Sequence, residues 1–385
     1  MPWKREPPMD QRIQLVSDWL SDHYSKKTLS RRYMVSRPTV DKWINRYERE
    51  GIEGLRERSR VPKHSPGRTD EEIVGKLIEA KLQHKDWGPK KLVRHLVKQW
   101  PETRWPAPST AGEILRRQGL VSQRNCRQKT PPYSQPFEDC DAPNRVWSID
   151  YKGQFKTKDN RWCYPLTMTD NYSRYLLLCR GLERPRLQET RPWLEWAFRE
   201  YGLPVAIRSD NGAPFASVGL GGLTALSVWW IKLGIIPERI KPGRPDQNGR
   251  HERMHRSLKG STLKPPARNL RSQQEIFTAF QREFNEERPH EALSMDTPGS
   301  RYQRSARIYP ERLREIEYGD EYAVRKVRST GEIRWRGRLI YVSEALMGEP
   351  VGLKEVEGGQ WQLYFSCYQI ALLNNKTWRF EKPKV

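Results

Sequence analysis

Cysteine is scarce in this chain. The five cysteines, at positions 126, 140, 163, 179 and 367, form no C-x-x-C pair and no regular spacing. That excludes a disulfide framework and a thiolate zinc site, and it fits reduced cytosolic thiols. Long apolar runs are also missing. The opening MPWKREPPMD lacks the apolar core of a secretion signal. One stretch approaches membrane-spanning length, SVGLGGLTALSVWWIKLGII at 217–236, but it holds three glycines in its first half and Lys232 near its end. It predicts a loop followed by a buried helix. Negative charge is in short supply as well: 47 acidic residues face 70 lysines and arginines, for a net charge of +23. Each lysine or arginine set against a phosphate releases condensed counterions, so an excess of this size points to nucleic acid as partner. The expected location is the cytoplasm, in association with DNA.

A chain of 385 residues is too long for one ordinary core and predicts several domains. Residues 1–58 read as a helix-turn-helix unit. Its second helix, from about Arg37 to Glu50, carries Val40, Trp43, Ile44 and Tyr47 as one apolar stripe. Ser36 is placed to cap this helix, Pro38 is tolerated in its first turn, and Gly51 sits where it stops. Arg37, Thr39, Lys42, Asn45 and Arg46 lie on the other face, suited to phosphates and base edges. A basic linker follows at 59–69, then a second helical, helix-turn-helix-like unit at 70–121 and another linker at 122–144. In the second unit Trp87-Gly88-Pro89 opens one helix and Ser109 is expected to cap another.

From 145 to 300 the pattern alternates strands with helices, an α/β domain. Strands are expected at 146–151, 164–169, 175–179, 205–209 and near Ile235. Helices are expected at 187–201, 223–233, 249–259 and 273–286. Residues 301–385 become short strands with glycine turns, which predicts a small β-barrel ending in a basic tail.

Three carboxylates occupy strand-end and helix-start positions, where α/β sheets gather active-site groups. They are Asp150 in VWSIDYKG, Asp210 in AIRSDNGAPF and Glu252 in GRHERMHRSLK. The last segment also spells H-E-x-x-H through His251 and His255, the pattern of zinc peptidases. Its flanks, Arg250, Arg253, Arg256 and Lys259, suit a helix laid against phosphates, so the histidines are expected to face DNA or solvent.

The segments WSIDYKG, TMTDNYSRY, SDNGAPF, GRPDQNGRHERMHRSLK and NEERPHEALSMDTP follow one another between 147 and 298. In that order the chain resembles DDE transposases of the retroviral-integrase superfamily, bacterial insertion-sequence transposases above all. The resemblance implies an RNase-H-like central domain. It also implies two divalent ions, Mg2+ with Mn2+ as a substitute, held by Asp150, Asp210 and Glu252. The reaction implied is DNA cleavage and strand transfer, carried out by a homo-oligomer on paired element ends. Lys259 matches a lysine that touches the DNA end in that family. The 41 residues between Asp210 and Glu252 exceed the family's usual spacing, which makes Asp246 the alternative third ligand. Asp170 is the competitor for Asp150 and is expected to be structural. Asn211 and Gly212 are expected to shape a tight turn beside Asp210, while Arg288 and His290 serve packing as readily as chemistry. A catalytically silent DNA-binding regulator, and an RNase-H-type nuclease without strand transfer, are the other readings of these residues.

Overall fold

The computed structural model describes residues 8–58, 68–121, 140–217, 219–240, 249–263, 265–356 and 359–381. Most of both linkers, Asp246, and the last four residues lie outside this set. The chain divides into two compact units, Met1–Arg68 and Thr69–Val385.

In the first unit, α1 (Pro8–Leu20), α2 (Lys26–Arg32) and α3 (Arg37–Glu50) enclose Leu15, Leu29, Val40, Trp43 and Ile44. Met34, in the left-handed region at φ 50°, makes the turn between α2 and α3. The expected cap at Ser36 takes another form: its hydroxyl bonds Thr39 Oγ1 at 2.8 Å and no backbone N–H. Gly51 ends α3 at φ 63°, a conformation glycine adopts without penalty.

The second unit begins with α4 (Glu71–Gln83), α5 (Pro89–Gln99) and α6 (Pro108–Arg117), packed around Leu77, Trp87, Leu92, Leu96 and Leu115. Helix α6 starts at Pro108 with Ala107 as its cap residue, so Ser109 lies inside the first turn. Proline at the first helical position costs nothing, because that N–H has no intrahelical partner anyway.

The central sheet comprises β1 (Val146–Tyr151), the short β2 (Phe155–Lys156), β3 (Trp162–Asp170), β4 (Leu176–Leu182), β5 (Ala206–Ser209) and β6 (Ile236–Arg239). Its main order is β4-β3-β1-β5-β6, with β2 on an extension of β3. Strands β1, β3 and β4 pair antiparallel, whereas β1, β5 and β6 are parallel. Helices α7 (Leu187–Tyr201) and α8 (Ala225–Lys232) cover one face, burying Leu166, Met168, Phe198, Trp229 and Trp230. Helices α9 (Gly249–Thr262) and α10 (Leu270–Arg282) cover the other, burying Met254, Leu258, Phe277 and Phe280. The period-2 alternation of strands assigns the faces. Along β3, Leu166 and Met168 go to the α7–α8 side, while Thr167 and Thr169 turn toward α9.

The C-terminal domain is a sheet of β7 (Tyr322–Lys326), β10 (Pro350–Val356), β11 (Gln360–Phe365), β12 (Tyr368–Asn374) and β13 (Arg379–Glu381). A separate hairpin is formed by β8 (Glu332–Trp335) and β9 (Arg338–Tyr341). The expected barrel is not formed: pairing runs β13-β12-β11-β10-β7, and among the described residues no strand joins the two edges. Val228 and Ile231 of α8 enter this domain's core, and Lys232 pairs with Glu349 at 2.7 Å. Helix α8 is therefore apolar all round because it is wedged between two cores, which explains the membrane-like stretch at 217–236. No helix among the described residues is long and apolar enough to cross a membrane.

Candidate active site

Strand register brings the first two carboxylates together. In the parallel β1–β5 pair Ile149 stands opposite Ser209, so Asp150 and Asp210 are the next residues along two neighbouring strands, which run about 4.8 Å apart. This is the C-terminal edge of the parallel half of the sheet, where open α/β sheets place their sites. The turn after β5 is tied down on both sides. Gly212 N–H donates to Asp210 Oδ1 at 3.2 Å, and Asn211 Nδ2 donates to the Ile240 carbonyl at 2.9 Å. A Cβ at position 212 would sit 3.0 Å from Asp210 Oδ2, so glycine leaves that second oxygen open.

Glu252 is exposed in the first turn of α9. It lines a cleft of about 440 Å³ together with Asp150, Lys152, His255, Arg256 and Lys259. Arg250 and Arg253 point to a different cavity on the far side of the same helix, and Arg250 donates to the Asn171 carbonyl at 2.8 Å. The four basic residues expected to flank one DNA-facing surface are thus divided between two faces.

The histidines depart furthest from expectation. His251 and His255 are neither solvated nor turned to DNA: they are 1% and 5% exposed, packed behind Asp150. Thr167 is the residue opposite Asp150 on β3, and its hydroxyl lies 2.8 Å from His251 Nε2 and 2.7 Å from His255 Nε2. The same hydroxyl donates to the Asp150 carbonyl at 3.1 Å, while Thr169 Oγ1 lies 2.9 Å from His251 Nδ1. A hydroxyl has one proton; if Thr167 gives it to the Asp150 carbonyl, both imidazoles must present N–H at Nε2. His255 Nδ1 is then a lone pair facing Asp150 Oδ2, 3.9 Å away. Burial pushes the His251 pKa down to about 3 and that of His255 to about 2, so both rings are neutral.

Atoms of Asp150, His251 and His255 lie within 4.8 Å of one another, close enough for a shared cation. His251 already uses both ring nitrogens on threonine hydroxyls, however. A metal would find carboxylate oxygen and at most the one nitrogen of His255, a poor match to the two-histidine zinc site spelled by H-E-x-x-H.

Asp170, the competitor for Asp150, is structural in position. It is 1% exposed and accepts from Asn144 N–H at 2.9 Å, Ser173 N–H at 2.8 Å and Ser173 Oγ at 2.6 Å. Asp170→Ala is expected to cost about 3 kcal/mol or more, through buried donors left unsatisfied, and to lower Tm by roughly 6–12 °C. Asp150→Asn, at the partly open cleft, should move Tm far less. Differential scanning fluorimetry of the two variants decides the assignment, and equal losses would refute it.

These features agree with what the chain resembles along its length. Residues 141–245 and 233–298 match the integrase core domain. Residues 11–63 match a helix-turn-helix domain, and 39–115 a homeodomain-like domain. Residues 322–379 match the C-terminal domain of IS481 family transposases. Together these matches support an insertion-sequence transposase of the integrase superfamily. A relative from Burkholderia multivorans, "Insertion element IS407 uncharacterized 31.7 kDa protein", is 26% identical over 238 residues, covering 60% of this chain and 81% of the relative. Among solved structures, the simian T-cell lymphotropic virus intasome bound to PP2A regulatory subunit B56 gamma aligns at 17% identity. Its TM-score is 0.38, with 75% of this chain and 96% of that one covered. The HTLV-2 integrase catalytic core domain with magnesium aligns at 18% identity and TM-score 0.34, covering 42% of this chain and 99% of that one.

The five residues named for the helix-turn-helix lie on α3. Arg37, Lys42 and Asn45 are exposed, and Thr39 and Arg46 are half-buried. The Lys42 ammonium and Arg46 guanidinium stand 4.9 and 5.0 Å from the Trp43 ring centroid, which holds both along the helix. Sequence reading missed Lys152 and His255 as neighbours of Asp150. The i, i+4 spacing of His251 and His255 signals a shared helix face, but nothing local says that the face is buried.

Proposed function

We propose that the protein is a DNA transposase. Its helix-turn-helix units bind the terminal inverted repeats of a mobile element, and its central domain cleaves DNA and transfers strands as a homo-oligomer on paired ends. Asp150, Asp210 and Glu252 are the ligands of two divalent ions, Mg2+ or Mn2+. The observation that carries this reading is the β1–β5 register, which sets Asp150 beside Asp210 while Glu252 shares the Asp150 cleft.

The donor set fits such ions, since hard carboxylate oxygens at a half-open cleft suit Mg2+, which keeps waters and completes its shell with substrate phosphate. When bound, the ions supply charge stabilisation and an activated attacking oxygen for in-line displacement. The protein's own groups do the rest. Thr167, braced by His251 and His255, holds the Asp150 carbonyl in place from behind. Lys152, Arg256 and Lys259, on the cleft wall, grip the phosphodiester. On α3, Arg37, Thr39, Lys42, Asn45 and Arg46 meet the major groove, and the C-terminal sheet adds DNA or subunit contacts.

The test is strand transfer in Mg2+ with DNA ends taken from the sequences flanking the gene, wild type beside Asp150→Asn. Joining by wild type alone supports the reading. Binding of the ends without cutting under either metal makes the protein a regulator, and cutting without joining makes it a nuclease.

A further inference from the structure

Helix α9 presents two polar faces. Glu252, His255, Arg256 and Lys259 line the Asp150 cleft, whereas Arg250, Arg253 and Ser257 line a second cavity of about 100 Å³. That is well above the roughly 10–15 Å³ a single water needs. The other walls are the turn after β3 with Arg174, the segment after α10 with Arg288, and Lys91 from α5 of the second helical unit. Five cationic side chains therefore converge on one small space.

Anionic compensation is thin. Asp170 is the one carboxylate on the lining, and its oxygens are taken up by Asn144 and Ser173. Arg288 reaches Asp86 at 3.5 Å and Ser257 Oγ at 3.2 Å. The Arg174 and Arg250 guanidinia each donate to the Asn171 carbonyl at 2.8 Å, which brings two cations to one neutral acceptor. Among the described residues, neither Lys91 nor Arg253 has a carboxylate within ion-pair distance. Burial, with Arg288 adding to it, pushes the Lys91 pKa down to about 8, and burial lowers Arg174 to about 10. Crowding like charges away from water is costly unless an opposite charge joins them.

We propose that this cavity is a phosphate site, in which the guanidinium and ammonium groups of Arg174, Arg253, Arg288 and Lys91 surround one tetrahedral oxyanion. Arginine forks match phosphate oxygens in pairs, and a lysine adds a point charge. The site joins α5 to the back of the helix that carries Glu252, so its occupant fixes that helix against the second helical unit. The phosphate is either a backbone group of bound DNA or a free anion.

The probe is inorganic phosphate, compared with chloride at matched ionic strength, using the full chain. Wild type should show a saturable rise in Tm, roughly 3–6 °C at ten times the dissociation constant. Lys91→Gln should be at least as stable as wild type in chloride, because the repulsion with Arg288 is relieved, yet gain far less from phosphate. Arg253→Gln, at the exposed mouth, should also lose most of the gain. Equal Tm in the two salts, or a full phosphate response in both variants, overturns the proposal. A second arm, which rests on the DNA-binding reading above, identifies the source. If phosphate weakens DNA binding by wild type but not by Lys91→Gln, the natural occupant is a DNA phosphate. If DNA binding is indifferent and the Tm rise remains, it is a free anion. Failure to bind DNA at all would count against the transposase reading and leave the Tm result standing.

Discussion

Glu252→Gln is expected to abolish DNA cleavage and joining while leaving DNA-end binding within about threefold of wild type. The substitution keeps shape and hydrogen-bonding capacity but removes the charge that a divalent ion requires. Metal-borne charge stabilisation is worth several kcal/mol at the transition state, and about 4 kcal/mol corresponds to a 10³-fold loss of rate. Glu252 is exposed, so the fold has little stake in it and Tm should stay within about 1 °C. Single-turnover cleavage in Mg2+ and in Mn2+ measures the effect. Activity within tenfold of wild type would remove Glu252 from the ligand set and transfer the role to Asp246.

Much of this site was legible in the sequence because it depends on local wording. Asp150 ends a short β-rich run, Asp210 precedes Asn-Gly, and Glu252 follows the wording KPGRPDQNGR; each sits at a boundary that local chemistry marks. The edges of α7, Leu187–Tyr201, are also set locally, by the apolar period and by Gly202 at φ 78°. What was not legible depends on partners distant in the chain. The arginines around H-E-x-x-H suggested a solvated helix, yet at 3.6 residues per turn they belong to other faces. The inward face meets Thr167 and Thr169, more than 80 residues away. Polar threonines on a buried strand face give no apolar signal, so the burial of both imidazoles could not be read from α9 alone. The open C-terminal sheet has the same origin: alternation predicts strands, but closure depends on which edges meet. The basic cavity was also hidden, since Lys91, Arg174, Arg253 and Arg288 come from four separate segments.

The buried histidines predict a sharp loss of stability in mild acid. His251 and His255 are held neutral, and His290, with Nε2 shut off from solvent, is pushed down to about 3 by burial. In each case the folded pKa lies below the value of about 6.5 expected in the unfolded chain. Above pH 6.5 neither state binds the extra proton and stability is full. Below it the unfolded chain takes up protons that the native state cannot, so stability falls as pH drops toward the folded pKa. Each ring then loses about 1.4 kcal/mol per pH unit, or about 2 kcal/mol at pH 5. Three such rings together lose about 6 kcal/mol, comparable with the ~5–15 kcal/mol that holds a typical domain folded. Calorimetry should find the Tm of the central domain roughly 12–24 °C lower at pH 5 than at pH 7.5. His290→Phe keeps a ring against Phe284, whose centroid is 4.7 Å away, but takes up no proton. Its Tm should fall about one third less over the same range. A wild-type Tm that is flat from pH 7.5 to 5, or a His290→Phe profile parallel to wild type, would mean that these rings are protonated in the native state. His251 Nδ1 would then donate to Thr169 rather than accept from it, and His255 Nδ1 would present a proton to Asp150 Oδ2, so the support behind the first carboxylate would have to be drawn differently.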